Sequence, residues 1–125
     1  MRILVVDDSS TMRRIVMNIL GKLGYTDFVE AGNGLEAMEK LVADPVDFII
    51  TDWNMPKMNG LDMARAVRAS ELTRHIPVLM VTTNAAPEHI TQAMQAGVTN
   101  YVLKPFTAET LRDRMQLALK AAQAA

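Results

Sequence analysis

The segment IITDWNMPKMNG, residues 49–60, passes from a buried strand to a turn within a few residues. Its first three residues are apolar or β-branched, which is typical of a strand in a protein interior. Asp52 follows at once, and Pro56 and Gly60 then turn the chain. A carboxylate at the end of a core strand is either an ordinary polar terminus or a group placed there to react.

Other runs resemble the first part of this segment, and none of them alternates polar with apolar residues. This absence of alternation favours strands that are covered on both faces. The predicted core strands are ILVV (3–6), FIIT (48–51), VLMV (78–81) and YVL (101–103). The run DFVEA, residues 27–31, is more polar and predicts a strand at the edge of the sheet.

Between the strands, apolar residues recur at spacings of three and four, which predicts amphipathic helices. The helix positions predicted to face the core are Met12, Ile15, Val16, Ile19, Leu20 and Leu23; Leu35, Met38, Leu41 and Val42; Leu61, Ala64 and Val67; Ile90, Ala93 and Met94; and Leu111, Met115, Ala118 and Leu119. Asp8, Ser9 or Ser10 is expected to cap the first helix, which ends at Gly21 or Gly24.

The later helices are bounded by residues that favour turns and caps. The second helix is expected to end before Pro45. Pro87 and Gly97 mark the start and the end of the fourth helix. Thr107 is the expected N-cap of the last helix.

The strand–helix unit therefore occurs five times. Because crossovers between parallel strands are right-handed, this order predicts an α/β fold: one domain, residues 1–125, built as a doubly wound (βα)5 parallel sheet of five strands. In such a sheet the carboxyl ends of all strands lie on one edge, where ligands bind.

Charged or hydroxyl side chains follow four of these strands. Asp7 and Asp8 follow the first, Asp52 the third, Thr82 the fourth and Lys104 the fifth. Three nearby carboxylates repel one another and need counter-charge. Lys104 supplies one positive charge, and an oxygen-only ligand set indicates Mg²⁺, with Mn²⁺ as the alternative.

This set of groups suits the acceptance of a phosphoryl group. An aspartate can act as the nucleophile, while a metal and a lysine neutralise the charge on the transferring oxygens. Taken singly, Asp52 could be a helix cap, Lys104 a solvated side chain and Thr82 an ordinary strand residue. Their joint placement at one edge favours a phosphate and metal site.

Composition limits the remaining function classes. The chain has 125 residues, a net charge of −1 and no cysteine, which excludes disulfides and thiol chemistry and gives no reason to expect a nucleic-acid or membrane partner. Its apolar runs are too short to span a membrane, and the first ten residues lack a signal-peptide cleavage site, so a cytoplasmic location is expected. His75, His89 and the pair Arg13-Arg14 are expected to be solvated.

The chain resembles the receiver domains of two-component response regulators, in particular the single-domain chemotaxis regulators. The resemblance covers essentially the whole chain and rests on VVDDSSTMRRIV (5–16), ITDWNMPKMNG (50–60), PVLMVTT (77–83) and AGVTNYVLKPFT (96–107). It implies the flavodoxin-like strand order 2-1-3-4-5, which the residue pattern alone does not give.

The resemblance also implies the role of each site residue. Asp52 would accept the phosphoryl group, and Lys104 would contact it. Asp8, Asp52 and the backbone carbonyl of Asn54 would bind Mg²⁺, with Asp7 acting through a water. The bond between Lys104 and the proline after it would be cis.

The implied partners are those of a signalling switch. The phosphoryl donor would be a sensor histidine kinase of the CheA type or a small acyl phosphate. Thr82 would turn towards the phosphoryl group and Tyr101 would rotate inward, changing how helix 4, strand 5 and helix 5 bind an output partner such as the flagellar motor switch protein. The chain would be a monomer that catalyses only its own phosphorylation and dephosphorylation.

Three alternatives stay open. The chain could be a Mg²⁺-dependent phosphohydrolase with an aspartyl nucleophile, although no cap segment is evident. It could be a receiver that serves as a phosphate sink or relay, or a flavin-binding protein of the same fold. Thr83 and Asn84 stand where a well-known chemotaxis member has Ala and Glu, which leaves the phosphate lifetime and the path of Tyr101 open.

Overall fold

A computed structural model describes residues 1–124 of the chain. Five strands alternate with five helices. Their bounds are β1 Arg2–Val6, α1 Ser10–Lys22, β2 Asp27–Ala31, α2 Gly34–Ala43, β3 Phe48–Asp52, α3 Gly60–Ala69, β4 Val78–Thr82, α4 Pro87–Gln95, β5 Asn100–Leu103 and α5 Ala108–Ala124. The strands form one parallel sheet in the order β2-β1-β3-β4-β5, which confirms the predicted fold class and strand order.

Each apolar run in the sheet contributes side chains to two different cores, one on each face of the sheet. This explains why polar and apolar residues do not alternate along it. In β1, Leu4 and Val6 pack on one face, in a cluster that includes residues of α2, α3 and α4. Ile3 and Val5 pack on the other face, against α1 and α5. Both faces are dry, so residues 3–6 of the strand are all apolar.

The helix termini follow the predicted signals. Ser9 is the N-cap of α1, and its hydroxyl accepts a bond from the amide of Met12 at 3.2 Å, so neither Ser10 nor Asp8 has that role. Gly24, at φ +101°, follows the end of α1 in the left-handed conformation that glycine tolerates. Thr107 accepts a bond from the amide of Thr110 at the start of α5.

Four of the predicted core positions on the helices are wrong. Ile15, Leu35, Val42 and Met94 are 43%, 47%, 76% and 46% exposed. Each lies beside a position that is buried, because a helix packed on a sheet buries only one stripe of its surface. Sequence periodicity gives the direction of that stripe but not its width.

Arg68 fixes the end of the sheet opposite to the predicted site. Its guanidinium donates to the carbonyl oxygens of Gly97, Ile76 and Arg74 at 2.9, 2.6 and 3.0 Å, and to the hydroxyl of Thr99 at 3.1 Å. Burial lowers the pKa of Arg68. One side chain therefore joins α3, the segment before β4 and the turn that follows α4.

Gly60 begins α3 directly against the end of β3. Its amide donates to the carbonyl of Trp53 at 2.9 Å. A Cβ atom at this position would lie 2.2 Å from the carbonyl oxygen of Asp52, far inside van der Waals contact. The close approach of α3 to the site strand therefore requires glycine.

We expect Gly60→Ala to lower the free energy of unfolding by about 1–3 kcal/mol, the usual cost of overpacking, since backbone must move to admit the methyl group. Gly21→Ala is the matched control. A Cβ there meets nothing within 4 Å, so alanine should stabilise this helical position by about 0.5–1 kcal/mol. Urea unfolding of both variants measures the difference, and equal effects of the two would contradict the close-contact explanation.

Candidate functional site

Three carboxylates meet at the carboxyl edge of the sheet. Asp7, Asp8 and Asp52 each offer an oxygen, and these oxygens lie within 4.8 Å of one another. The register produces this meeting, because Val6 of β1 pairs with Thr51 of β3, so that both strands reach the edge together. Asp7 is buried, Asp52 is half-buried and Asp8 is exposed. The predicted convergence of these three residues is confirmed.

Lys104 reaches the cluster from β5. Its Nζ lies 3.1 Å from Oδ1 of Asp52, and the two side chains are only 23% and 14% exposed. Its amide donates to the carbonyl of Thr82 at 2.8 Å, which fixes the chain just before a cis peptide to Pro105. The ion pair is therefore shielded from solvent and carried by an anchored backbone.

Asp7 is in a costly environment for a charge. Burial raises the pKa of its carboxyl, and repulsion from Asp52 adds to this, while a bond from the amide of Ser9 and the charge of Lys104 act in the opposite direction. The bond from Ser9 is 2.9 Å long. Burial is the largest of these effects, so the charged form of Asp7 is disfavoured chiefly by the loss of solvation.

The acidic loop, residues 7–9 after β1, is held in place by a side chain of α1. Arg13 of α1 donates to the carbonyl oxygen of Asp7 at 2.6 Å and to the carboxylate of Glu30 at 2.9 Å. Its side chain is 18% exposed. The prediction of a solvated residue at this position is therefore wrong, whereas Arg14 is exposed as expected. Sequence spacing gave no signal, because Glu30 belongs to the neighbouring strand.

Thr82, at the end of β4, is buried and its hydroxyl is already engaged. Oγ1 accepts a bond from the amide of Asn84 at 3.1 Å. It also lies 3.3 Å from Nε2 of His89, on the first turn of α4. His89 stacks on Trp53, with ring centroids 3.6 Å apart and planes inclined by 18°. The prediction that His89 is solvated is wrong, while His75 is exposed as expected.

Tyr101 lies further from the edge. It pairs with Met80 in the ladder between β4 and β5, two positions before Thr82. The ring is half-buried against the cluster that includes α4, and the guanidinium of Arg114 lies 4.7 Å from its centroid. Its surroundings join β5 to α5 rather than to the acidic cluster.

The acidic cluster fits a hard divalent cation. All its ligand atoms are carboxylate oxygens, and it contains neither His nor Cys. Mg²⁺ is usually bound through one or two carboxylates and retains several waters, which suits a cluster that is partly exposed. Three carboxylates and one ammonium meet at this edge, which gives a further reason for a cation at this position.

We expect Asp7→Asn to raise the free energy of unfolding by about 1 kcal/mol in EDTA at pH 7, because it removes a buried like charge. A raised folded-state pKa means that stability is lost as the pH rises through it. The gain should therefore shrink as the pH falls towards about 4, the ordinary pKa of aspartate.

Urea unfolding between pH 4 and pH 8 measures this effect. Asp27→Asn is the matched control, since Asp27 is exposed and pairs with Arg2 at the far end of the sheet. A stability loss in Asp7→Asn at pH 7 would contradict the repulsion described above.

The comparison with known proteins agrees with this geometry. The sequence profile of the response regulator receiver domain matches residues 3–116. The chain is 53% identical over 116 residues to the chemotaxis protein CheY of Pseudomonas aeruginosa, covering 93% of this chain and 94% of that protein. It is 50% identical over 120 residues to the chemotaxis protein CheY1 of Helicobacter pylori, covering 95% and 97%.

A solved structure gives the same result. The chemotaxis response regulator CheY4 of Vibrio cholerae superposes with a TM-score of 0.86 at 37% identity, covering 94% of this chain and 97% of that one. No helix within residues 1–124 is both long and apolar enough to cross a membrane. Receiver domains are phosphorylation-dependent signalling domains, not classical enzymes, and bind Mg²⁺ at an acidic pocket. The chain belongs to the response regulator receiver domain family and is of the CheY type.

Proposed function

We propose that this chain is a chemotaxis switch in which Asp52 accepts a phosphoryl group from a sensor histidine kinase of the CheA type. The observation that carries the proposal is the shielded contact of 3.1 Å between Asp52 and Lys104, inside a cluster of three carboxylates. Residues 1–125 act as a single receiver domain in this proposal, and Ala125 lies outside the described residues. The protein works as a monomer in the cytoplasm.

The proposed chemistry is a displacement at phosphorus. A carboxylate oxygen of Asp52 forms the new bond to phosphorus, the bond from phosphorus to the donor's imidazole nitrogen breaks, and the electron pair leaves with the donor. With acetyl phosphate the leaving group is acetate. Lys104 holds its ammonium against Asp52 and neutralises charge on the transferring oxygens.

Asp8, Asp52 and the backbone carbonyl of Asn54 would hold Mg²⁺, with Asp7 acting through a water and Mn²⁺ as a substitute. When bound, the ion supplies further positive charge for the transferring phosphoryl group. Asn54 and Asn84 are both exposed, and in this proposal they flank the route by which water would reach the acceptor. The chain then removes its own phosphoryl group by hydrolysis and has no other substrate.

The proposed output is a change in the face formed by α4, β5 and α5. Thr82 turns towards the phosphoryl group, and Tyr101 rotates inward. Each of the three elements exposes a large apolar side chain: Met94, Leu103 and Leu117 are 46%, 40% and 50% exposed. Such side chains suit a surface that binds a protein. The proposed partner is the flagellar motor switch protein.

Trp53 is the chain's single tryptophan and follows Asp52 directly, so its fluorescence should report both ligands. We expect one change on addition of Mg²⁺ and a second on addition of acetyl phosphate. Asp52→Asn should abolish the second change, because an amide cannot be phosphorylated. The measurement is steady-state fluorescence at saturating Mg²⁺, with intact mass spectrometry to detect the added phosphoryl group.

The control variant is Asp27→Asn, which removes a carboxylate at the opposite end of the sheet and should respond as the wild type does. A phosphorylated Asp52→Asn protein, or a wild type that gains no mass with acetyl phosphate, would sink the assignment of the acceptor.

A further inference from the structure

The hydroxyl of Thr82 has few choices of partner. Its oxygen accepts from the amide of Asn84 at 3.1 Å. When the neutral imidazole of His89 carries its proton on Nδ1, two acceptors are available for the Thr82 proton among the described residues: Nε2 of His89 at 3.3 Å and the carbonyl oxygen of Asn84 at 3.5 Å, the outer limit of a hydrogen bond. A threonine hydroxyl donates only one proton. The nearer acceptor, His89, is therefore the better partner for it.

The ring of His89 is held in a position to accept that proton. It stacks on Trp53, which is 8% exposed, with ring centroids 3.6 Å apart. The backbone of Trp53 is fixed in turn, because its carbonyl accepts a hydrogen bond from the amide of Gly60 at the start of α3. The imidazole is thus placed by β3 and α3 as well as by its own helix, and it does not depend on a flexible side chain for its orientation.

Thr82 also anchors the loop that follows it, between β4 and α4. Residues 83–85 of that loop are exposed. Two short-range hydrogen bonds order the loop: the amide of Asn84 donates to the hydroxyl of Thr82, and the amide of Ala86 donates to the side chain of Asn84 at 2.9 Å. Any turn of the Thr82 hydroxyl must break its contact with His89 and disturb this chain of bonds.

We propose that His89 is a positioning residue that restrains the switch hydroxyl in the unphosphorylated protein. In the neutral imidazole with its proton on Nδ1, Nε2 of His89 accepts a hydrogen bond from the Thr82 hydroxyl, and a phosphoryl oxygen on Asp52 must compete with it for that bond. The inference rests on the proposed function, because it requires Thr82 to turn towards a group on Asp52. It adds to that function a residue that sets how readily the switch operates.

The effect of this restraint on the affinity for a phosphoryl mimic can be measured, and its direction is predicted. Removing the acceptor frees the hydroxyl, so a phosphoryl group or its mimic should bind more tightly. A neutral hydrogen bond of this kind alters an equilibrium by about 2- to 10-fold. The stack on Trp53 is a separate contact, and substitutions at His89 can remove one and keep the other.

The test is a titration with beryllofluoride, a stable mimic of the phosphoryl group, at saturating Mg²⁺. The bound fraction is followed by fluorine NMR, which does not depend on the fluorescence of Trp53. His89→Phe keeps an aromatic ring on Trp53 and removes the acceptor, so it should bind beryllofluoride about 2- to 10-fold more tightly than the wild type. His89→Gln loses the stack but keeps an amide oxygen for Thr82, so it should bind as the wild type does.

A double-mutant cycle with Thr82→Val isolates the hydroxyl. In the valine background, His89→Phe should produce no further change in beryllofluoride affinity. His75→Phe is the matched control for the substitution itself, since His75 is exposed beside the segment that precedes β4. It should leave the affinity unchanged.

Two results would overturn the inference: His89→Phe that binds no more tightly than the wild type, or a gain of the same size in the Thr82→Val background. Failure of the proposed function looks different, because the wild type itself would then bind no beryllofluoride in an Asp52-dependent manner. Loss of affinity in His89→Gln together with unchanged affinity in His89→Phe would assign the role to the stack and reject the hydrogen bond.

Discussion

The contact between Lys104 and Asp52 depends on a constraint of the parallel sheet, and the site depends on that contact. All strands of such a sheet end on one edge, so residues 52 positions apart in sequence come within 3.1 Å. The contact is useful only if both strand ends are fixed. Gly60 lets α3 start against the carbonyl of Asp52, and the amide of Lys104 is tied to β4. Arg13 holds the acidic loop from behind.

At this edge of the sheet, the carboxylates that the proposed function needs lower the stability of the fold. Three carboxylates meet where one ammonium is available, and burial with repulsion raises the pKa of Asp7. A protein selected for stability alone would replace one of these charges by an amide. The cost is confined to the edge, because Asp7 is the one charged side chain that is buried among residues 1–124. The fold can therefore carry an electrostatically unfavourable site without losing its core.

Sequence patterns predicted the strands, the parallel class and the convergence of Asp7, Asp8, Asp52 and Lys104, because each depends on local runs and on one topological rule. The strand order came from family resemblance, since several orders satisfy the same local pattern. The burial of Met94 and the solvation of Arg13 and His89 were predicted wrongly. Their environments depend on residues in other elements, such as Glu30 for Arg13 and Trp53 for His89, and no spacing along the chain encodes these contacts.

The two ends of α4 are held very differently. Beyond its carboxyl end, the carbonyl of Gly97 accepts a hydrogen bond from Arg68. The same guanidinium also donates to two other carbonyl oxygens and to a threonine hydroxyl. At its amino end, Ala86 provides no side-chain cap, and the stack of His89 on Trp53 is the aromatic contact there. If α4 tilts, it therefore pivots near Gly97. Its nine residues span about 13 Å, so a tilt of about 10° would move the amino end by about 2 Å and the carboxyl end hardly at all.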